Sequence, residues 1–353
     1  MSSPAIVTED TIPTKPCQKF EGHTGWVQGV IHLPGGQHII TCSNDGSLGV
    51  WNLQTGKHIA NWQDGESGMR SIALSVDGKK LVSGSNDGSV RLWNIETGKI
   101  LAKWTGHTQP VRSVCWNGDN DRALSGSLDG TARVWDAETG NTILQINTGV
   151  DKVYTATFSP DSTLIATSGY SSEDEFIKIW DANTGKHMAI LKGHKLLVYC
   201  LAWTADGRTL ISGSYDHTIR TWNTSTWQEL AVWTRHANAL FGIAISPNGR
   251  IIASASLDHT AQLWNLENGQ PIGFPLQHPE GVSCVSFSTD GTLITTGCHD
   301  KNGYTWDISA IIKEAGLNEL LVSFSFSSLS QSTNLTRHPR MAKNHSSMYA
   351  TIL

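Results

Sequence analysis

The sequence predicts an all-β fold made by repetition: seven four-stranded antiparallel sheets in succession, each dependent on its neighbour. Three observations carry this. Seven tryptophans, Trp51, Trp93, Trp135, Trp180, Trp222, Trp264 and Trp306, are each followed by Asn or Asp and recur at intervals of 42, 42, 45, 42, 42 and 42 residues. A fixed period in this range marks one supersecondary unit copied many times, and such a unit buries its apolar face only against the next copy. Each copy holds four strand-like segments divided by turn residues, and the repeat runs from about residue 14 to residue 307 of the 353, leaving no room for a second core.

The first strand of each copy is set by its offsets from a Gly-His slot. After His23 come Val27, Val30 and His32 at +4, +7 and +9; later copies give Val111, Val114, Trp116; Val153, Ala156, Phe158; Val198, Leu201, Trp203; Leu240, Ile243, Ile245; and Val282, Val285, Phe287. A step of three followed by a step of two is a strand with one extra residue, a β-bulge near its entry. Turns such as Asp77-Gly78 and Asn248-Gly249 lead to a second strand of paired apolar residues (Ile39-Ile40, Leu81-Val82) followed by small ones (Gly84, Gly126, Gly213, Ala255, Gly297), where backbones must approach closely. A turn centred on Asp45 or its equivalents opens the third strand, which ends on the ladder tryptophan. Thr-Gly turns (Thr55-Gly56, Thr97-Gly98) start the fourth.

Gly-His near the start of units one, three and five, His alone in units six and seven, and Trp-Asp or Trp-Asn near the end of every unit resemble the WD-repeat β-propeller family over about 290 residues. The resemblance implies a seven-bladed ring. After Trp306 no fourth strand follows, whereas Lys15 to Phe20 precedes Gly22-His23 as Leu101 to Trp104 precedes Gly106-His107. Residues 14–20 are therefore expected to complete the last blade and remove its open edge. The expected organisation is a disordered lead over 1–13, the propeller over 14–307, a short helical extension over 308–320 stopped by Gly316, and a Ser-rich disordered tail over 321–353. The tail's abrupt change of composition also fits an artefact of the gene prediction.

Fixed spacings pick out polar sets within the blades: His23, Ser43, Asp45, Trp51; His107, Ser127, Asp129, Trp135; His194, Ser214, Asp216, Trp222; and His236, Ser256, Asp258, Trp264. Indole, hydroxyl, imidazole and carboxylate supply the donors and acceptors of one continuous chain. The same residue types make a hydrolytic triad, but a triad occurs once and these sets recur around a ring, which reads as structure. Cys298 stands at the serine position of the seventh set, Gly65 and Gly149 at the histidine slot of the second and fourth, and Gly169 at the fourth serine position. Blades two and four are expected to be the softer ones.

Function classes narrow accordingly. A net charge of −5 gives no basic footprint for nucleic acid. Six cysteines without a C-x-x-C pair read as reduced thiols in a cytoplasmic, or also nuclear, protein. The N-terminus lacks a secretory pattern, no stretch reaches the roughly 18 apolar residues of a membrane helix, and the three Asn-x-Ser/Thr matches are read as chance. Phosphate loops, zincin helices and EF-hand frames are missing, so no catalytic residue, cofactor or metal is expected.

In WD-repeat proteins the +3 and +5 positions after the histidine slot and the residue before each turn aspartate form the usual partner-binding mouth. Here the resemblance implies Trp26, Gln28, Arg70, Arg112, Lys152, Tyr154, Leu197, Tyr199, Tyr215, Phe241, Leu257 and His299, with Glu173 before the fourth turn. The mouth reads as two-sided, polar and basic over blades one to three and aromatic over four to six, which suits a short peptide with an acidic and an apolar end. Arg or Lys two residues past Trp-Asp, common in relatives that dock on a cullin adaptor, is replaced by Glu138, Asn183 and Ser309. The expected role is a non-catalytic scaffold for other proteins or their peptide segments, a monomeric propeller within a multiprotein complex and without membrane partner. The alternative is a regulatory or sensor propeller of a larger signalling complex.

Overall fold

The computed structural model describes residues 15–63, 65, 67–172 and 176–321. The expected lead over 1–13, the residues Glu173 and Asp174 and the tail from 322 onward lie outside the described residues. Seven four-stranded antiparallel sheets follow one another. Blade one takes Val27–His32, His38–Ser43, Ser47–Asn52 and His58–Gln63, in that order from the inner strand outward. The next five repeat this order. The seventh takes Val282–Phe287, Leu293–Cys298 and Gly303–Asp307, and its outer strand is Gln18–Phe20 from the start of the chain. There Gln18 faces Thr305, Lys19 faces Tyr304 and Phe20 faces Gly303.

Burial explains the sequence pattern strand by strand. The second strand has a neighbour on both faces, so both faces must be apolar or small; Ile39, Ile40 and Cys42 are all fully buried. The outer strand has one covered face, and His58–Gln63 alternates between exposed and half-buried. The core lies between blades: Val82, Val90, Leu92 and Trp104 of the second pack on Val111, Val114 and Trp135 of the third. At Gly84 the blades come so close that a Cβ would stand 2.7 Å from Val111 Cγ1.

Phe20, Val30, Ile39 and Trp51 form the cluster between the last blade and the first, with Phe20 and Trp51 ring centroids 5.9 Å apart. Hydrogen bonds join the same two blades: His32 Nε2 to Thr295 Oγ1 at 3.0 Å, and Ser283 Oγ–H to Val27 O. A helix, Ile308–Glu314, is N-capped by the Asp307 carboxylate and packs Ile311 against the outer strand of blade six, where Gly273 (φ 63°) lacks the side chain that would block it. A 3₁₀ turn over Asn318–Leu321 follows.

His32 occupies a slot that holds Trp116 or Phe158 in sister strands, and burial holds its pKa down at about 4 against an opposing pull from Asp290. Burial likewise lowers His278 to about 4. A native pKa below the unfolded value means that the unfolded chain binds more protons. The stability these histidines contribute is then complete above about pH 6.5 and is lost as pH falls towards 4. Each is expected to cost on the order of 3 kcal/mol across that window, measured as urea midpoints against pH. His32→Gln should flatten the curve; an unchanged slope in that variant would sink the assignment. Deletion of residues 1–22 removes Phe20 and its strand, and should lower the unfolding midpoint of the whole propeller; equal midpoints would show that this strand adds nothing.

Candidate functional site: the central channel

In every blade the inner strand slips register by one residue against the second, between Val27 and Gly29, Met69 and Ser71, Val111 and Ser113, Val153 and Thr155, Val198 and Cys200, Leu240 and Gly242, and Val282 and Cys284. The residues left unpaired are Gln28, Arg70, Arg112, Tyr154, Tyr199, Phe241 and Ser283. A bulge re-aims the side chain it carries, and all seven of these residues line one axial cavity of about 430 Å³. The site is therefore built from one irregular residue per blade.

The side chains meet rather than merely surround the opening. The Arg112 guanidinium lies over the rings of Tyr154 (5.5 Å) and Tyr199 (5.9 Å). Tyr199 in turn meets Tyr154 at 4.7 Å and Phe241 edge-on at 4.3 Å. Arg70 Nε–H donates to Asn86 Oδ1 at 2.7 Å. Trp26 stacks on His299 at 4.1 Å, bridging the first and last blades at the rim. Burial lowers the pKa of both arginines, and for Arg70 the charge of Arg112 adds to the effect. Burial also pushes the Tyr199 phenol up to about 12. The thiols of Cys115, Cys200 and Cys284 on the wall rise to about 12 for the same reason and are poor nucleophiles at neutral pH.

The polar sets form outside the channel. In blade three His107 Nδ1–H donates to Asp129 at 2.9 Å, while Nε2 accepts from the Ser125 hydroxyl at 2.8 Å, which itself accepts from Trp135 Nε1–H at 2.8 Å. Blades one, five and six repeat this through Thr41, Ser212 and Ser254. Burial pushes the Asp45, Asp216 and Asp258 carboxyls upward, but the histidine and hydroxyl hydrogen bonds outweigh it and hold them well below the usual range. Carboxylate, imidazole and serine stand in triad order, yet Ser125 is fully buried with an indole against its oxygen, so no acyl group can approach it.

The hydroxyl expected in these chains was the wrong one. Ser43, Ser127, Ser214 and Ser256 instead cap the turns: each accepts from the backbone N–H of the aspartate two residues on, and the last three also donate to loop carbonyls. The reason is reach. Trp51 faces Ile39, and its Nε1 stops at Thr41; Ser43 is a further two residues along the strand, about 7 Å away. Cys298 for serine thus leaves the indole–hydroxyl–imidazole part of the seventh chain in place through Thr296. What blade seven loses is the acid, because His278 Nδ1 turns to Leu276 O and Asp300 pairs with Tyr304 and Asn302. In blade two, where the histidine is missing, Arg91 fills its place and binds Asp87 at 2.8 Å. In blade four Lys178 holds the matching position, and its Nζ lies 3.4 Å from where a Cβ of Gly149 would stand.

Seven stretches, residues 14–52, 56–94, 98–136, 142–181, 185–223, 227–265 and 269–307, match the family described as WD domain, G-beta repeat. The chain belongs to the WD-repeat family. Among curated relatives it is similar to WD repeat and SOCS box-containing protein 1 of Xenopus tropicalis (35% identical over 71 residues, 20% of this chain and 16% of the relative) and of Danio rerio (34% over 71 residues, 20% and 16%). It is also similar to Nuclear distribution protein PAC1 of Eremothecium gossypii (38% over 58 residues, 16% and 12%). The matched stretches thus span less than a fifth of each relative's length.

Of the mouth residues that the WD-repeat resemblance implied, Trp26, Gln28, Arg70, Arg112, Tyr154, Tyr199, Phe241 and His299 line the cavity together. Lys152, Leu197, Tyr215 and Leu257 do not; Lys152 and Tyr215 are exposed outside it, and Tyr215 reaches only as far as Tyr199, at 6.4 Å. The basic and aromatic sides are not apart, because Arg112 rests on the tyrosines of the next two blades. Sequence reasoning passed over Asn86 as Arg70's acceptor, although it was among the pre-aspartate residues. Thr41→Val, which keeps shape and removes the shared hydroxyl, should destabilise by about 1–3 kcal/mol for each partner it strands. Chemical denaturation checks it; a midpoint matching wild type would show that the chain contributes nothing.

Proposed function

We propose that this WD-repeat propeller is a protein-interaction scaffold which takes a peptide segment of a partner into the channel mouth. The observation that carries it is chemical variety at one repeated position: Gln, Arg, Arg, Tyr, Tyr, Phe and Ser fill the seven bulges, while the ladder position is tryptophan in every blade. The strand pairing on either side of the bulges is the same in every blade, so the frame itself does not dictate these differences. Arginine and aromatic residues are the usual anchors of an interface. The peptide carries an acidic group for Arg70 and Arg112 and an apolar one for Tyr199 and Phe241, and the propeller acts as one unit of a larger assembly.

The test compares proteins co-purified with the intact chain, Arg112→Glu and Tyr199→Ala. Loss of an anchor is expected to cost about 2 kcal/mol or more, about thirtyfold in affinity, so mouth-bound partners should fall away in both variants. Recovery of the same set from all three proteins would rule out the mouth as the binding surface.

A further inference from the structure

A second cleft lies on the side of the ring away from the mouth. The inner strand of blade five, Val198–Trp203, carries Trp203 about 13 Å along the strand from the mouth residue Tyr199. There, between the turns that follow the inner strands of blades four and five, a cavity of about 450 Å³ is lined by Pro160, Asp161, Leu164, Trp203, Asp206 and Thr224 among others. The two turns touch, with Pro160 Cδ 3.8 Å from where a Cβ of Gly207 would stand.

The indole on its wall lacks a partner. Trp116 holds the same slot in blade three and donates Nε1–H to Ala73 O of the preceding blade at 3.2 Å, whereas Trp203 Nε1–H is buried with no acceptor among the described residues. An indole has one polar atom, so the whole hydrogen-bonding capacity of this side chain is open. Arg133 and Arg220 also carry a buried Nε without a partner, yet each has its Nη1 bonded, to Thr142 and to Glu229. A strained neighbour backs the ring. Trp227 sits at φ 60° where the sister turns hold Gly56, Gly98, Gly140, Gly185 and Gly269, and it meets Trp203 at 6.4 Å with the rings near perpendicular. At Gly98, Gly140 and Gly269 a tryptophan of the preceding blade's outer strand comes within 2.6 Å of where a Cβ would stand; blade four has Leu191 at that register. The smaller Leu191 leaves room for Trp227 but does not relieve its backbone.

Charge selects the ligand. Asp161 and Asp206 are exposed at the rim, and hydrogen bonds from the Ser159 and Thr204 hydroxyls hold both carboxyls below the usual value. Neither forms an ion pair among the described residues; Arg208 acts on Asp206 through space only. We propose that this cleft binds an arginine side chain of a partner protein, its guanidinium plane on Trp203 and its fork on Asp161 and Asp206. Two carboxylates repel an anionic ligand, so the acceptor for the indole N–H is neutral, a main-chain carbonyl of the same segment. A guanidinium is weakly hydrated, stacks on an indole and still presents its edge N–H groups to carboxylates, whereas an ammonium is a strongly hydrated point charge. The cleft shares no lining residue with the mouth.

The experiment titrates the intact, isotope-labelled protein with the blocked tripeptide acetyl-Gly-Arg-Gly-amide and its lysine and citrulline counterparts, following the indole N–H resonances by NMR. The Trp203 signal is the one lost in Trp203→Phe. It should move downfield and saturate with the arginine peptide, with lysine about fivefold weaker and the neutral citrulline about tenfold weaker or worse. Asp161→Asn and Asp206→Asn should each weaken binding about fivefold, the upper end for an exposed ion pair. Their turns should persist, because blade six carries Asn248 at this position and its Oδ1 accepts from Ser246 Oγ–H at 2.7 Å. Asp77→Asn, at the same turn of blade two and outside the cleft, should change nothing, nor should Arg112→Glu at the mouth. Citrulline binding as tightly as arginine, or affinity indifferent to both asparagine variants, overturns the site. Lysine binding equally well overturns the choice of arginine, and loss of binding in Arg112→Glu would move it to the mouth. A shift of the Trp203 signal with protein concentration alone would give the cleft to a second copy and overturn the proposal.

Discussion

A buried indole must have somewhere to put its N–H. Each ladder tryptophan is buried, six of the seven at 2% exposure or less, and each donates Nε1–H to a hydroxyl on the neighbouring second strand: Thr41, Ser83, Ser125, Thr167, Ser212, Ser254 and Thr296, at 2.7–3.1 Å. This bond ties the third strand to the second in every blade, and the ring packs against the adjacent blade. Leaving such a donor unpaired costs about 1–3 kcal/mol, so the hydroxyl is fixed wherever the tryptophan is. The histidine and aspartate are an extension of that bond towards the turn, and it is there that the blades differ.

Those differences show how the frame absorbs substitution. The turn carboxylate is paired by histidine in blades one, three, five and six and by Arg91 in blade two; in blade seven it takes Tyr304 and Asn302 instead. Chemistry is kept while residue and position change. A glycine at the histidine slot therefore need not weaken a blade, because a long cation two residues before the tryptophan can enter the space from the third strand. The expectation of softer second and fourth blades looked only at the missing side chain and not at what could occupy its volume.

Architecture was legible because it is written as spacing. A 42-residue period, turn residues and the three-then-two step of the inner strand are local properties of the chain, and the bulges fall where that step puts them. What spacing could not give was reach between strands. Ser43 and Thr41 lie on the same face of the same strand, and only the register of Trp51 against Ile39 decides which hydroxyl the indole meets. Likewise, residue identity named Arg112, Tyr154 and Tyr199 as mouth residues, but that the arginine lies across two blades onto the tyrosines depends on side-chain length and the narrowness of the opening. Lys152, Leu197, Tyr215 and Leu257 were named by offset alone, and offset does not say how far from the axis a loop-end residue stands.

The bulge ties the frame to the site. A regular strand alternates its side chains between two faces, and in a blade both faces are covered by neighbours, so nothing is left to point along the axis. An extra residue escapes this alternation without costing the blade its packing, since Val27 and Gly29 on either side of Gln28 keep their partners Ser43 and Cys42. Side chains at these seven positions can change while the strand pairing on either side of them stays, and the backbone that carries them is held by that pairing. Binding groups so placed are fixed before a ligand arrives, and the ordering cost that a flexible loop would pay on association is smaller here. Channel chemistry in this fold is thus set without altering the strand pairing of the blades, residue by residue around the ring.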